Sequence, residues 1–236
     1  MKPSPSDTTF TVNIRSGRVM LEGELGMPCV PGGLVIFAHG SGSSRLSPRN
    51  QYVARVIRES AFATLLFDLL TPEEEAVDVY TRHLRFDIEL LTRRLIDATN
   101  WAAVQPETRK LRSGYFGAST GAAAALVAAA QLGDAIGAVV SRGGRPDLAG
   151  DALGRVESPT LLIVGGLDHV VIRLNAQAFE QLRCQKETRI VPGATHLFEE
   201  PGALEEVARL SVEWFRRHLT THSTSRAHSQ AREGGT

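Results

Sequence analysis

Cysteine is scarce in this sequence, and that scarcity excludes several classes of protein. Of 236 residues only Cys29 and Cys184 are cysteines, which is too few for a domain held together by disulfides. Neither has a second cysteine at a metal-ligand or redox spacing, and the histidines lack the paired spacing of a metal-ligand set. We therefore expect two reduced thiols, no bound metal and no organic cofactor.

Net charge and long hydrophobic runs are also lacking. Lysine plus arginine (26) equals aspartate plus glutamate (26), so no overall field attracts the chain to nucleic acid or to an anionic membrane. The longest apolar stretch, 121–132, is mostly alanine and far shorter than the roughly 20 residues that a membrane span needs. The first ten residues, MKPSPSDTTF, lack the apolar core of a secretory signal. We expect a cytoplasmic protein that acts on a small molecule and binds neither nucleic acid nor membrane; its oligomeric state stays open.

The sequence does contain a regular alternation of short apolar runs and longer segments of helical period. This alternation is typical of strands joined by crossover helices, which gives an α/β fold with a mostly parallel sheet and helices on both faces. The predicted strands are 34–38, 63–67, 115–116, 138–140, 161–164 and 189–191. Two earlier runs, 9–14 and 19–24, flank Ser16-Gly17 and predict an antiparallel hairpin at the sheet edge.

Helices are predicted between these strands from proline placement and from the spacing of apolar residues. Ser47 before Pro48 is typical of a helix start. Apolar residues recur every three to four positions in 84–95 and 204–215, which predicts two more helices. The acidic run 73–75 has no such period, and we interpret it as a solvated loop.

Length and composition predict how these elements are organised. With 42% hydrophobic residues, the chain is long enough for one large core, and we expect a single domain over 9–219. Residues 1–8 are predicted to be a flexible N-terminus. Residues 220–236 are polar and without periodicity, so burial cannot offset the entropy of ordering them, and we expect a disordered tail.

One pentapeptide, Gly117-Ala118-Ser119-Thr120-Gly121, matches the pattern GxSxG. The pattern matters only where a strand ends and a helix begins, because a sharp turn there holds the serine in a strained conformation with its hydroxyl exposed. A predicted strand precedes it, and the alanine-rich segment 122–131 that follows is a strong helix former. The glycines on either side are expected where a side chain would collide with a neighbouring element. Ser119 is therefore the candidate nucleophile.

A serine hydroxyl needs a base within hydrogen-bond reach and a carboxylate to orient that base. Asp168 follows the predicted strand 161–164, and His196 follows the strand that ends at Val191. Because the carboxyl ends of parallel strands meet at one edge of a sheet, we expect both side chains to meet Ser119 there. The order Ser, Asp, His is that of the α/β-hydrolases.

Acyl transfer also needs hydrogen-bond donors aimed at the oxyanion that develops during the reaction. One donor is expected from the backbone of Thr120, directly after the nucleophile, and one from the loop that follows the strand 34–38. In that loop we assign the donor to Ser41, with Gly40 as the alternative. His39 stands at the strand end, and we interpret it as support for the loop, although it could also act as a second base.

With these residues in hand, the chain resembles the dienelactone hydrolase-like family of α/β-hydrolases over about residues 33 to 219. The matching segments are FAHGSGSSRLSPRN (37–50), GYFGASTGAAAAL (114–126), LLIVGGLD (161–168) and GATHLFEEPGALEEV (193–207). The chain is also similar to the hydrolase half of some bacterial proteins in which such a domain follows a phosphoribosyltransferase. The resemblance implies cleavage of an ester or lactone through an acyl-enzyme, with Ser119 where dienelactone hydrolases have cysteine.

The substrate site is indicated only by arginines and by a short connection. The segment between 140 and 161 is too short for a cap domain, so we expect an open, small pocket. Four arginines follow the predicted strand ends and could hold a substrate carboxylate or phosphate; they are Arg45, Arg49, Arg142 and Arg145. The alternative is that they form salt bridges with neighbours such as Asp147.

The leading hypothesis is a serine hydrolase of carboxylic esters or lactones, with Ser119 as nucleophile, His196 as base and Asp168 as its orienting carboxylate. A thioesterase or acyltransferase would use the same triad, and rates on matched oxygen and sulfur esters distinguish these activities. A third hypothesis is a silent binding module that keeps the fold, for which failure of Ser119 to react with a fluorophosphonate is diagnostic.

Overall fold

Eight strands form one mixed sheet in the computed structural model, which describes residues 8–220. The strands are β1 Thr8–Ser16, β2 Val19–Met27, β3 Leu34–Ala38, β4 Ala63–Phe67, β5 Ser113–Ala118, β6 Ile136–Arg142, β7 Thr160–Gly165 and β8 Lys186–Val191. Their order across the sheet is β1-β2-β4-β3-β5-β6-β7-β8. Strand β2 pairs antiparallel with β1 and β4, and all other pairs are parallel. This confirms the predicted mostly parallel sheet with an antiparallel hairpin at its edge.

The ends of the chain were predicted to lie outside the folded part. Strand β1 begins at Thr8, so the sheet starts one residue before the predicted boundary. The remainder of the predicted flexible N-terminus, 1–7, lies outside the described residues. The same holds for 221–236 of the predicted disordered tail.

Residues 8–220 contain six α-helices, of which all but α2 pack on the faces of the sheet. They are α1 Pro48–Glu59, α2 Pro72–Thr81, α3 Ile88–Val104, α4 Thr120–Leu132, α5 His169–Gln181 and α6 Ala203–Leu219. The β6–β7 connection holds only a 3-10 segment, Pro146–Arg155, in agreement with the prediction that no cap domain is inserted there. Within residues 8–220, none of the helices combines the length and apolar character required to cross a membrane.

The core lies in two layers because successive side chains of a strand point to opposite faces of the sheet. On one face, Ile36 packs with Leu95 of α3 and other buried residues. On the other face, Val35 packs with Ile57 of α1 and Phe215 of α6. The central strands are buried on both faces, which explains why they are continuous apolar runs in the sequence.

Helix α2 corrects the interpretation of the acidic run 73–75 as a solvated loop. The run forms the first turn of α2, where acidic residues are favoured by the helix dipole. Thr71 and Glu74 form a reciprocal capping box at its start. Glu74 also pairs with buried Arg94 at 2.6 Å. Burial alone raises the pKa of Glu74, but the hydrogen bonds from Arg94 and Thr71 outweigh it and lower that pKa.

The helix predicted over 84–95 starts later than expected. Leu84–Phe86 form a separate 3-10 turn, and α3 begins after Asp87, whose Oδ1 accepts a hydrogen bond from Leu90 N at 2.9 Å. The apolar spacing continues across this break because Leu84 still packs on the core that α3 contacts. The prediction for α1 is correct in position, although Ser47 makes no side-chain cap there.

Candidate active site

Ser119 lies at the turn between β5 and α4, which is the context that GxSxG requires. Its backbone has φ 50° and ψ −121°, a conformation that costs a non-glycine residue free energy. The residue is partly exposed, so its hydroxyl is accessible. This strained, accessible serine has the geometry of a nucleophile elbow.

The two glycines of the pentapeptide have the steric role that the sequence predicted. A Cβ at Gly117 would lie 2.5 Å from Ala122 Cα, and a Cβ at Gly121 would lie 2.2 Å from Ala38 O. Both contacts are far too close to relax, since they involve backbone atoms. Glycine at these two positions therefore lets α4 approach β3 and β5 closely enough to form the turn.

His196 and Asp168 meet at the same edge of the sheet. Nδ1 of His196 lies 2.7 Å from Oδ2 of Asp168. An ionised carboxylate only accepts hydrogen bonds, so Nδ1 carries the proton and Nε2 of a neutral ring keeps its lone pair. The other oxygen of Asp168, Oδ1, accepts from Val171 N at 3.4 Å and caps α5. Asp168 is therefore fixed by its helix while it orients His196.

The loop 142–145, after β6, joins the surroundings of Ser119 and His196. Ser119 N donates to Arg142 O at 3.3 Å, and Arg145 N donates to Ser119 O at 3.0 Å. Between these residues, a Cβ added to Gly143 would lie 3.6 Å from His196 Cε1. The histidine ring thus packs over Gly143 in the loop that holds the serine backbone.

Sequence reasoning missed the residues that shape this loop. Gly143 has φ 50°, and a Cβ on Gly144 would lie 1.9 Å from Ser141 Oγ. Buried Asn175 on α5 donates from Nδ2 to Gly144 O at 3.0 Å. The glycine pair directly after a strand was a usable signal of a tight turn, whereas nothing near Asn175 in the sequence indicates its contact.

The two predicted oxyanion donors lie next to each other. As the first residue of α4, Thr120 has an N–H with no acceptor inside the helix. Ser41 N donates to Thr120 Oγ1 at 3.1 Å. Ser41 Oγ donates to Arg85 O at 3.0 Å, so the hydroxyl of Thr120 donates to Ser41 Oγ at 2.9 Å. Gly40 packs against the nucleophile, since a Cβ on it would lie 2.9 Å from Ser119 Cβ.

His39 supports this loop through both ring nitrogens. Leu69 N donates to Nε2 at 2.9 Å, so Nδ1 carries the proton and donates to Gly40 O at 3.0 Å. Burial lowers the pKa of His39 below its usual value, which keeps the ring neutral. The interpretation of His39 as a structural residue is confirmed, since neither nitrogen is left to act as a base.

Three of the four candidate arginines pair with carboxylates of the protein, Arg49 through one nitrogen and Arg45 and Arg145 through two each. Arg45 pairs with Asp68 and, at 2.5 Å, with Glu22. Arg145 binds Asp147 through two nitrogens at 2.9 and 2.7 Å. These are the salt bridges that the sequence offered as the alternative to substrate binding.

A cleft of about 560 Å³ is lined by Ser41, by further residues with hydroxyl groups and by Arg49. Arg49 pairs with Glu199 at 2.7 Å. Ser119, Asp168 and His196 do not line this cleft, so it lies beside the loop of Ser41 rather than around Ser119. The predicted size of the substrate pocket therefore stays a prediction.

Comparisons with known proteins identify relatives of this chain in sequence and in fold. A crystal structure named as dienelactone hydrolase from Anabaena variabilis is 57% identical, with a TM-score of 0.89 over 91% of this chain and 99% of that chain. A protein from Xanthomonas campestris, described as an α/β serine hydrolase without lid, is 21% identical with a TM-score of 0.70, over 89% of this chain and 95% of that chain. At that identity the likeness concerns the fold alone.

Two curated relatives from strains of Mycobacterium tuberculosis, each named "Putative phosphoribosyl transferase", are 60% identical over 208 residues. The match covers 88% of this chain but 46% of theirs, so the chain spans about half the length of the curated relatives it matches. The model of the dienelactone hydrolase family matches residues 47–221. The chain therefore belongs to the dienelactone hydrolase family of α/β-hydrolases.

Proposed function

We propose that this chain is a serine hydrolase that cleaves carboxylic esters or lactones through an acyl-enzyme on Ser119. The observation that carries the proposal is the strained turn at Ser119 together with a His196–Asp168 pair with a 2.7 Å hydrogen bond, both of which contact the segment 142–145. The family and the name of the 57% identical relative support an ester or lactone as the small-molecule substrate.

In the first half of the reaction, His196 Nε2 takes the proton of Ser119 Oγ while Oγ attacks the carbonyl carbon. The carbonyl oxygen becomes an oxyanion, and Asp168 stabilises the imidazolium. When the carbon–oxygen bond to the leaving group breaks, His196 returns its proton to the leaving alkoxide. Ser119 is left acylated.

In the second half, His196 takes a proton from water, and the resulting hydroxide attacks the acyl carbon. Collapse of this second tetrahedral intermediate breaks the bond to Ser119 Oγ, which recovers its proton from His196. The carboxylic acid leaves, and the enzyme returns to its starting state without any net change.

The oxyanion is bound by backbone donors beside Thr120. Its own N–H is one donor. The second is Ser41 N–H, for which the oxyanion replaces Thr120 Oγ1 as acceptor; Gly40, in contact with Ser119, is the alternative donor. The hydroxyl of Thr120 thus holds Ser41 N–H in place before substrate arrives.

Kinetics of Ser119→Ala on 4-nitrophenyl acetate test the proposal. We expect kcat/KM to fall at least about a thousandfold because the covalent route is lost, with an unchanged thermal midpoint. Ser60→Ala, at the end of α1 far along the chain from the site, is the matched control and should keep the wild-type rate. Wild-type turnover by Ser119→Ala would refute the assignment.

A further inference from the structure

Arg142 is a buried arginine without a counterion in the described part of the chain, 8–220. It is 9% exposed, and its Nε and Nη1 have no hydrogen-bond partner among residues 8–220. Arg94 has a similar burial, at 3% exposure, yet it binds both Glu74 and Leu69 O. An uncompensated buried charge is strongly unfavourable, so Arg142 breaks a rule that Arg94 obeys.

A second cation, Arg49, acts on the charge of Arg142. Burial first, and the charge of Arg49 second, lower the pKa of Arg142 to about 10. The guanidinium stays protonated at neutral pH. Arg49 also has a buried Nε without a partner among the described residues, and its carboxylate partner, Glu199, is 60% exposed. Neither guanidinium is therefore held by a buried carboxylate of residues 8–220.

Arg142 belongs to the surroundings of Ser119, and Arg49 belongs to the cleft. The carbonyl of Arg142 accepts the N–H of Ser119, and the next residue, Gly143, packs against His196. Arg49, at the start of α1, lines the cleft together with Ser41. A molecule that occupies the cleft thus lies beside Arg49, and the charge of Arg49 acts on Arg142.

We propose that Arg142, together with Arg49, binds an anionic group of the substrate, either a carboxylate or a phosphate. The inference rests on the proposed hydrolysis at Ser119 and specifies its substrate class. Guanidinium groups bind both anions through paired N–H donors. Arg45 and Arg145 are excluded from this role because carboxylates of the protein bind two nitrogens of each. Arg49 has one such bond, and its buried Nε has no partner among residues 8–220. A feature that lowers stability, such as an unpaired buried charge, is typical of functional sites.

Matched esters test the proposal. Three 4-nitrophenyl esters share one chain length and differ at its end: the butyrate ends in methyl, the succinate monoester in carboxylate and the 3-phosphonopropionate in phosphonate. We expect the wild type to prefer one or both anionic esters over the butyrate. Arg142→Gln should lower the ratio of kcat/KM for the preferred anionic ester to that for the butyrate about 10- to 100-fold, the usual effect of losing a charge-assisted hydrogen bond.

The control is Arg145→Gln, three residues along the same loop, which should keep the wild-type ratio because its guanidinium is bound to Asp147. Arg142→Lys keeps the charge but loses the paired donors, and we expect an intermediate ratio. If Arg142→Gln does not fold, the ratio of kcat/KM values measured with Arg142→Lys tests the proposal instead. A wild type without preference, or a ratio that neither Arg142 variant changes, would overturn the proposal.

Calorimetric titration of the wild type with succinate and with inorganic phosphate separates this inference from the proposed function. If no ester is turned over, the hydrolase assignment fails but the binding site is still tested. Saturable binding of either anion that Arg142→Gln weakens at least tenfold supports the site. Absence of binding, or equal binding by Arg142→Gln, contradicts it.

Discussion

Ser119 is held between two regions of different construction. On one side, α2 and the turn Leu84–Phe86 hold Ser41 through the carbonyl of Arg85. This region contains paired charges, among them Arg85 with fully buried Asp78 at 2.5 Å. On the other side, the loop 142–145 holds the serine backbone with glycines and with Arg142, whose charge is not paired.

The difference distinguishes a supporting region from the proposed binding region. Where buried arginines have carboxylate partners, removal of either partner leaves an uncompensated charge, so the pair holds the structure. Where a buried arginine has none, its removal relieves a cost. We therefore infer that the paired region fixes the loop of Ser41 and that the charge of Arg142 serves the proposed ligand.

The same substitution at two arginines tests this comparison most strongly. Arg94→Met removes the partner of Glu74, and we expect the free energy of unfolding to fall by about 2–3 kcal/mol. Arg142→Met removes an unpaired charge, and we expect an unchanged free energy of unfolding or a gain of about 1 kcal/mol. Urea denaturation at pH 7 measures both. An equal loss in the two variants would show that Arg142 is as structural as Arg94.

Thr120 links Ser119 to the first region, because it directly follows Ser119 in the chain and its hydroxyl binds Ser41. We expect Thr120→Val to lower kcat about tenfold with little change in KM, since the oxyanion donors lose their fixed position. Thr120→Ser keeps the hydroxyl and should stay close to the wild type. An unchanged or higher kcat in Thr120→Val would mean that the hydroxyl only blocks Ser41 N–H.

His39 gives the smallest expected effect, in the pH dependence of stability. Its folded-state pKa lies below the 6.5 of an unfolded histidine, so its contribution is complete above pH 6.5. That contribution is lost as the pH falls from 6.5 through the folded pKa, at no more than about 1.4 kcal/mol per pH unit. His218, whose pKa is also lowered by burial, adds a term of the same sign.

Urea denaturation between pH 7.5 and 5.5 measures this effect. His39→Asn should be less stable at every pH and should show a flatter pH dependence than the wild type. If the free energy of unfolding changes with pH equally in His39→Asn and in the wild type, then His39 is not the neutral residue that its two hydrogen bonds indicate.

The sequence predicted the parts of the site that depend on local pattern. Ser119 directly follows strand β5, while Asp168 and His196 lie in the loops after β7 and β8. Parallel strands bring such positions to one edge. Strands β3 and β4 have the predicted bounds, because their apolar runs end at residues that cannot continue a buried strand. The assigned chemical roles of the three residues remain a proposal.

Contacts between segments that are distant in the chain could not be predicted from the sequence. Nothing local shows that Arg45 has Asp68 as a partner and that Arg142 has none, since pairing depends on how loops from separate strands fold together. Helix α2 is a different case. Thr71 and Glu74 form a capping box whose residues can be recognised in the sequence. The interpretation of the segment as a loop rests on its acidic residues and overlooks the box.

Intact-mass and peptide mass spectrometry after reaction with a fluorophosphonate test the central claim most directly. The account predicts a single adduct on Ser119 of the wild type, no adduct in Ser119→Ala, and much slower labelling in His196→Ala than in the control His169→Ala. An adduct on another residue, or labelling that persists in Ser119→Ala, would contradict the claim that Ser119 is the nucleophile.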